Sequence, residues 1–338
     1  MNSFQDKNMQ DCGLLVYIPC HQDHRQAKEQ AIRLREQFAS LNQQHSQRSQ
    51  KLIIVISVNG VTLSTDEHQE LISVSDELIY SRVSIGADAN IALGFLKALE
   101  RSPEFFWLLS ANDRVTDGAV ARILNVFYRN PNCDLVIADN NAESREFSVS
   151  DVLLKPMSGI HFGLISAVIY RATNTIENFP AAVKLNWTGW GQLAVIQTSC
   201  FTSGSLNIIS IPGGSLYERD YDSSSSAKNS IKRNNAYYSH SFFGMPILIA
   251  ALYAHDDRLR RKTLRSWLYL NWFRLHSFSS NFEAGHQIRV IDEPYWRQSI
   301  SEEILKRNGT ISRILFFCGI SFAWERFRDS PMARIISK

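Results

Sequence analysis

Apolar and polar positions alternate in blocks along the first part of the chain. Residues 13–19 (GLLVYIP) form a short apolar run closed by proline, which predicts a buried strand. Between residues 23 and 41, Ala27, Ala31, Ile32, Leu34 and Phe38 recur at roughly helical spacing and predict an amphipathic helix. Residues 51–58 (KLIIVISV) predict a second buried strand, and Asn59-Gly60 after it is a turn signal. Residues 77–83 follow as a short third strand and residues 90–100 (NIALGFLKALE) as a helix. The run 105–109 (FFWLL) is a strand that stops abruptly at Ser110-Ala111-Asn112-Asp113. A helix over 117–128 and a strand over 133–138 (CDLVIA) complete the series. Strands and helices joined by short loops predict an open, mostly parallel α/β sheet. Ligands of such sheets bind beyond the C-terminal strand ends. The segments to examine are therefore 19–23, 57–59, 84–90 and 110–114.

The second part has a different texture. Residues 159–171 carry a hydrophobic segment, and residues 186–197 place two tryptophans and several small residues before an apolar run. A short strand is expected at 208–211. Residues 213–235 are polar and contain the serine tract 223–226, the composition of a mobile loop or lid. From residue 239 onward the chain is rich in aromatics and arginine and reads as helical.

Composition narrows the reading. With 338 residues the chain makes one large domain or two modest ones, and 44% apolar residues exclude wholesale disorder. Lys plus Arg total 36 against 33 Asp plus Glu, so nucleic acid is not an expected partner. Five cysteines without a CxxC pair argue against a disulfide framework or structural zinc and for a reducing, cytoplasmic setting. The polar first eleven residues lack the apolar core of a signal peptide. The longest apolar runs, 242–254 and 314–324, are too short to span a bilayer.

Three stretches taken in order carry a resemblance: LLVYIPCHQD, IIVISVNGVTLSTD, and SIGADANIALGFLKALERSPEFFWLLSANDRVTDGAVARI. Together with GIHFGLISAVIYR and WTGWGQLAVIQ, they resemble the GT-A glycosyltransferases of family 2, especially the abequosyltransferase-like bacterial branch. The likeness runs over about residues 13–200 and rests on order and spacing. It implies an α/β fold of GT-A type, Rossmann-like with a mostly parallel sheet and a helical C-terminal region. Residues 1–212 would bind the nucleotide sugar and catalyse, 213–238 would be the loop or lid, and 239–338 the helical region. The implied activity moves a sugar from a nucleotide-diphosphate donor to a hydroxyl of a bacterial surface glycan, such as O-antigen or capsule, built on a lipid carrier.

The same resemblance implies site residues. Pro19, Cys20 and His21 fall where the family contacts base and ribose, and Asn59 where an Asp usually binds the nucleoside. Asp88 and Asn90 lie in the segment that approaches the donor; Lys232 and Arg233, after the polar loop, could by their charge clamp a diphosphate in place of metal or be solvated surface charge. Ser110-Ala111-Asn112-Asp113 stands where an Asp-x-Asp would hold a divalent cation, Mn or Mg, against the leaving diphosphate. Asn112 and Asp113 are the candidate metal ligands there, with weaker affinity expected because only Asp113 is a carboxylate; metal-independent transfer is the alternative. The family's catalytic acid should fall near Trp187 to Leu193, where Gln192 cannot titrate. Asp113, Asp139 and Glu177 are the candidate catalytic carboxylates, with Asp220, Asp222, His161 and His240 as further substitutes.

Plainer roles stand beside these. Asp113 and Asn90 could cap helices, Asn59-Gly60 is a sufficient turn by itself, and Trp187 and Trp190 could be core rather than a platform for acceptor sugar. The stretch from Arg258 to Phe273 places arginines next to Trp, Leu and Phe. It could lie on the inner face of an anionic membrane, peripheral to it, or pack on the catalytic domain. The rival function is a non-catalytic protein of the same fold that binds glycan or partner proteins. A dinucleotide-binding GxGxxG after the first strand, a GxxxxGK[ST] loop and a GxSxG elbow are all absent from the sequence.

Overall fold

The computed structural model describes residues 13–21, 24–44, 51–138, 144–147, 165–186 and 190–219, and separate positions between 248 and 263. The chain divides into two compact units, Met1–Asp222 and Ser223–Lys338.

The first unit is built on an eight-stranded sheet. Its strands are β1 (Leu14–His21), β2 (Leu52–Asn59), β3 (Glu77–Ser81), β4 (Phe105–Leu108), β6 (Leu135–Ala138), β7 (Ser144–Phe147), β8 (Val168–Arg171) and β9 (Leu206–Ile211). They lie in the order β3-β2-β1-β4-β8-β6-β9-β7. β2 and β4 run parallel to β1, β3 parallel to β2, and β9 parallel to β6. β8 is antiparallel to both β4 and β6, and β7 is antiparallel to β9. A separate ribbon joins β5 (Asp113–Val115) to β10 (Tyr217–Arg219). The predicted mostly parallel α/β sheet is thus present, with two antiparallel strands that the hydrophobic pattern did not announce.

Helices cover both faces. They are α1 (His24–Gln44), α2 (Thr65–Val74), α3 (Gly86–Arg101), α4 (Ala119–Arg129), α5 (Ala172–Thr175), α6 (Phe179–Leu185) and α7 (Gly191–Ser203). Alternate residues of a strand point to opposite faces. On one face Leu14, Val16, Ile18 and Cys20 join Ala27, Ala31 and Leu34 of α1 and Ile123 and Phe127 of α4 in one cluster. On the other, Phe95 of α3 meets Phe106, Tyr170 and Phe179 edge to face, and Phe106 and Tyr170 stack on each other. Each large side chain so buried contributes about 1.5–3 kcal/mol. Gly94 lets α3 lie close to the sheet: a Cβ there would stand 2.8 Å from the Tyr17 ring and 2.7 Å from Leu108.

Two local departures have clear causes. Residues 64–67 form a capping box, Ser64 accepting from the Glu67 amide and Glu67 from the Ser64 amide, and this starts the unforeseen α2. The polar segment expected as a loop from residue 213 begins instead with a 3-10 turn, Gly213–Ser215, and then β10. Thr116 and Arg122 anchor that turn through the Ser215 carbonyl, at 2.7 and 2.8 Å.

In the second unit, Leu248, Ile249 and Tyr253 are buried. Arg260, one of the basic residues in the stretch read as either membrane-facing or packed on the protein, is buried as well, pairs with Asp257 and donates to the Ala254 carbonyl at 3.2 Å. No helix among the described residues is long and apolar enough to cross a membrane.

Candidate functional site

The parallel strands β1 to β4 end on one edge of the sheet, and two buried amides tie those ends together. The Asn59 amide donates to the Cys20 carbonyl at 3.2 Å and accepts from the Ile85 amide at 3.3 Å. The Asn90 amide donates to the carbonyls of Ser57 at 3.3 Å and Cys20 at 3.5 Å, and its oxygen accepts from the Tyr17 hydroxyl at 2.9 Å. Burial pushes the Tyr17 phenol well above its usual range, against a lowering hydrogen bond with Ser57, so it remains a neutral donor. Asn59 and Asn90 therefore lie at the expected edge but act on backbone, fixing its shape. Neither caps a helix: the cap position of α3 is Ile85.

What this edge exposes is different. The His21 side chain is exposed, and its Nδ1 lies 3.2 Å from the Asn59 carbonyl. Its ring rests on Gly60, where a Cβ would approach to 2.7 Å and φ is +75°. Pro19 is half-buried, whereas the Cys20 side chain belongs to the core. Beyond β3, residues 82–87 are exposed, Val83 by 73%. Asp88 is half-buried in the first turn of α3, and its carbonyl accepts from the Asn186 amide.

The Ser110–Asp113 turn follows β4 on the same edge. Asp113 begins β5 and is only 5% exposed. Its Oδ2 accepts from the Ser166 hydroxyl at 2.5 Å, and the same hydroxyl accepts from the Ser110 amide at 2.9 Å. Asn112 is exposed, with its backbone amide on Ser110 Oγ at 3.3 Å. Asp113 is not a helix cap; Gly118 (φ 72°) holds that position for α4. Gln30 of α1 steadies β5 by accepting from the Val115 amide at 2.9 Å.

A divalent cation needs several oxygen ligands. This turn supplies one amide and one carboxylate, and a hydroxyl already holds that carboxylate's Oδ2. Among the described residues no group of three His, Cys, Asp or Glu side chains is placed to hold a metal ion. Asn112 and Asp113 by themselves do not make up the donor set of an Asp-x-Asp.

Glu177 is not brought to Asp113. It is exposed and follows β8, whose last residue, Arg171, pairs with Phe105 at the start of β4, the opposite edge from the turn. Gln192 is buried near the start of α7. Gly191 packs so tightly on Asn186 that no Cβ fits. The flanks of the tryptophan-rich segment thus meet α3 through Asn186. Asp139, His161, Trp187, Asp220, Asp222, Lys232, Arg233 and His240 lie outside the described residues. Sequence reasoning missed Ser166, Tyr17 and Asn186. A lone serine ahead of a strand and a tyrosine inside an apolar run carry no signal of their own.

No protein-family model matches the chain, and no curated protein matches it in sequence. Solved structures do match in fold. The crystal structure of Staphylococcus aureus TarS is similar over 90% of this chain, with a TM-score of 0.52 and 11% identity. This chain spans about half of that one, 52%. TarS 1–349 in complex with UDP matches 86% of this chain and 80% of its own, with a TM-score of 0.51 and 12% identity. At such identities the likeness establishes the fold: this chain has the Rossmann-like α/β fold of GT-A type.

Proposed function

We propose that the chain is a glycosyltransferase that moves a sugar from a nucleotide-diphosphate donor to a hydroxyl of a glycan. The observation that carries this is the edge where β1, β2, β3 and the Ser110–Asp113 turn meet, in a fold shared with a protein solved in complex with UDP. On this reading the base and ribose lie against His21, Gly60 and the 82–87 loop, and the diphosphate lies toward Asn112. Departure of the nucleoside diphosphate leaves negative charge that donors on this edge stabilise, and the acceptor hydroxyl loses its proton to a base. The abequosyltransferase-like branch of family 2 supplies the finer reading: a lipid-linked surface glycan such as O-antigen or capsule as acceptor, met at the inner face of a membrane.

A second reading is favoured by one observation. The single carboxylate of the turn is buried and held by Ser166, as in a protein that keeps the fold and binds glycan or partners without turnover. The two are separated by a thermal-shift panel with UDP, GDP, CDP and dTDP, each with and without Mn²⁺ or Mg²⁺. A ligand at a hundred times its Kd stabilises the folded state by about 2.7 kcal/mol. One nucleoside diphosphate is expected to raise the midpoint by several degrees, and the matching nucleotide sugar to be turned over. No shift with any of the four would favour the non-catalytic reading.

A further inference from the structure

The Ser110–Asp113 turn is held from outside its own segment by Ser166. That serine lies in the 3-10 turn Ile165–Ala167 just ahead of β8, more than fifty residues further along the chain, and is fully buried. Its hydroxyl donates to Asp113 Oδ2 at 2.5 Å and accepts from the Ser110 amide at 2.9 Å. Its carbonyl accepts from the Trp107 indole at 2.9 Å, which fixes the serine against β4. Within the turn the Asn112 amide is taken by Ser110 Oγ and the Asp113 amide by the Ser110 carbonyl. The exposed Asn112 side chain is then the polar group that the turn offers to the edge.

We propose that Ser166 is a positioning residue for donor binding: by gripping Asp113 and the Ser110 amide together, it sets the one turn geometry in which Asn112 meets the donor diphosphate. This rests on the nucleotide-sugar reading above. The geometry gives Asp113 a framing role, with Ser166 as its partner, in place of the ligand role that its position suggests. A misplacement of about 1 Å in a substrate-positioning group can cost about a hundredfold in rate.

The test compares Ser166→Thr with Ser166→Val, which have nearly the same volume and differ in the hydroxyl. Leu71→Ala, in the buried face of α2, serves as a destabilised control away from the turn. UDP is the probe, with GDP, CDP and dTDP run alongside, and binding is read by calorimetry at a temperature where every variant is folded. The expected result is that wild type and Ser166→Thr bind alike, that Ser166→Val binds at least tenfold more weakly, and that Leu71→Ala binds as wild type. Equal binding by the Thr and Val variants would overturn the positioning role while leaving the transferase reading intact. Failure of wild type to bind any of the four would overturn the reading itself and this role with it. Should Ser166→Val fail to fold, Ser166→Ala takes its place with the same expected loss.

Discussion

At the scale of single residues, burial and partnership decide more than residue type. The Tyr170 hydroxyl sits in the core beside the rings of Phe95, Phe106 and Phe179, with no hydrogen-bond partner among the described residues. Burial pushes this phenol far above its usual range, so it is neutral, but its hydroxyl still loses water. An unmade hydrogen bond of this kind costs about 1–3 kcal/mol. Tyr170→Phe keeps the ring and removes the stranded group, so it is expected to raise stability by about 1 kcal/mol. Urea denaturation checks this, and a loss of stability would reveal a partner for the hydroxyl.

Glu77 shows the opposite balance. Burial raises its carboxyl, but bonds from Lys97 at 2.6 Å and Arg101 at 2.9 Å, with their charges, outweigh burial and leave it below its usual range. A carboxyl depressed in the folded state adds stability above its unfolded pKa and loses it as pH falls through the folded value. All three side chains are partly exposed, which limits the effect to about 0.5 kcal/mol. Glu77→Gln is therefore expected to be slightly less stable than wild type at neutral pH. The gap should close as pH falls below the usual carboxylate range in paired denaturation curves, and a gap that stays constant with pH would contradict the ion-pair account.

At the scale of elements, close packing competes with propensity. Gly94 lies inside α3, where alanine would be favoured by about 1 kcal/mol. The new Cβ would stand 2.7 Å from Leu108 and 2.8 Å from Tyr17, and overpacking of a core costs about 1–3 kcal/mol. The clash should win, because both neighbours belong to central strands with no room to retreat. Gly94→Ala is expected to lose about 1 kcal/mol in thermal or chemical denaturation. A gain would show that α3 can lift from the sheet without breaking the Tyr17–Asn90 bond.

Most elements were legible because their periodicity is local. The apolar runs of β1, β2 and β4 and the helical spacing in α1 and α4 announce themselves. The capping box that starts α2 was also written in the chain, as Ser64 with Glu67 three residues on. β5 and β10 were not, because two three-residue strands carry too few positions for any period. They exist through their pairing, through Thr116 beside β5, and through the grip of Gln30, Gln37 and Arg122 from α1 and α4.

At the scale of the whole molecule, the sheet order turns a linear list of candidates into two groups. Parallel register carries the ends of β1, β2 and β3 and the turn after β4 to one edge, where His21, Asn59, Asp88, Asn90, Asn112 and Asp113 gather. The antiparallel insertion of β8 between β4 and β6 sends Glu177 off from the other edge and also delivers Ser166 to Asp113. The ligand panel tests this gathering: on the proposed reading a nucleoside diphosphate needs those ends to form one surface. By itself the sequence determined the alternation of strand and helix, the parallel α/β class and the segments lying at strand ends. Each follows from hydrophobic period and from turn residues within a few positions of one another. Only the tertiary structure decided which polar residues are exposed and which are consumed holding backbone. Asn59, Asn90 and Asp113 meet their partners Cys20, Tyr17 and Ser166 across dozens of residues. No local pattern records a hydrogen bond made between distant strands.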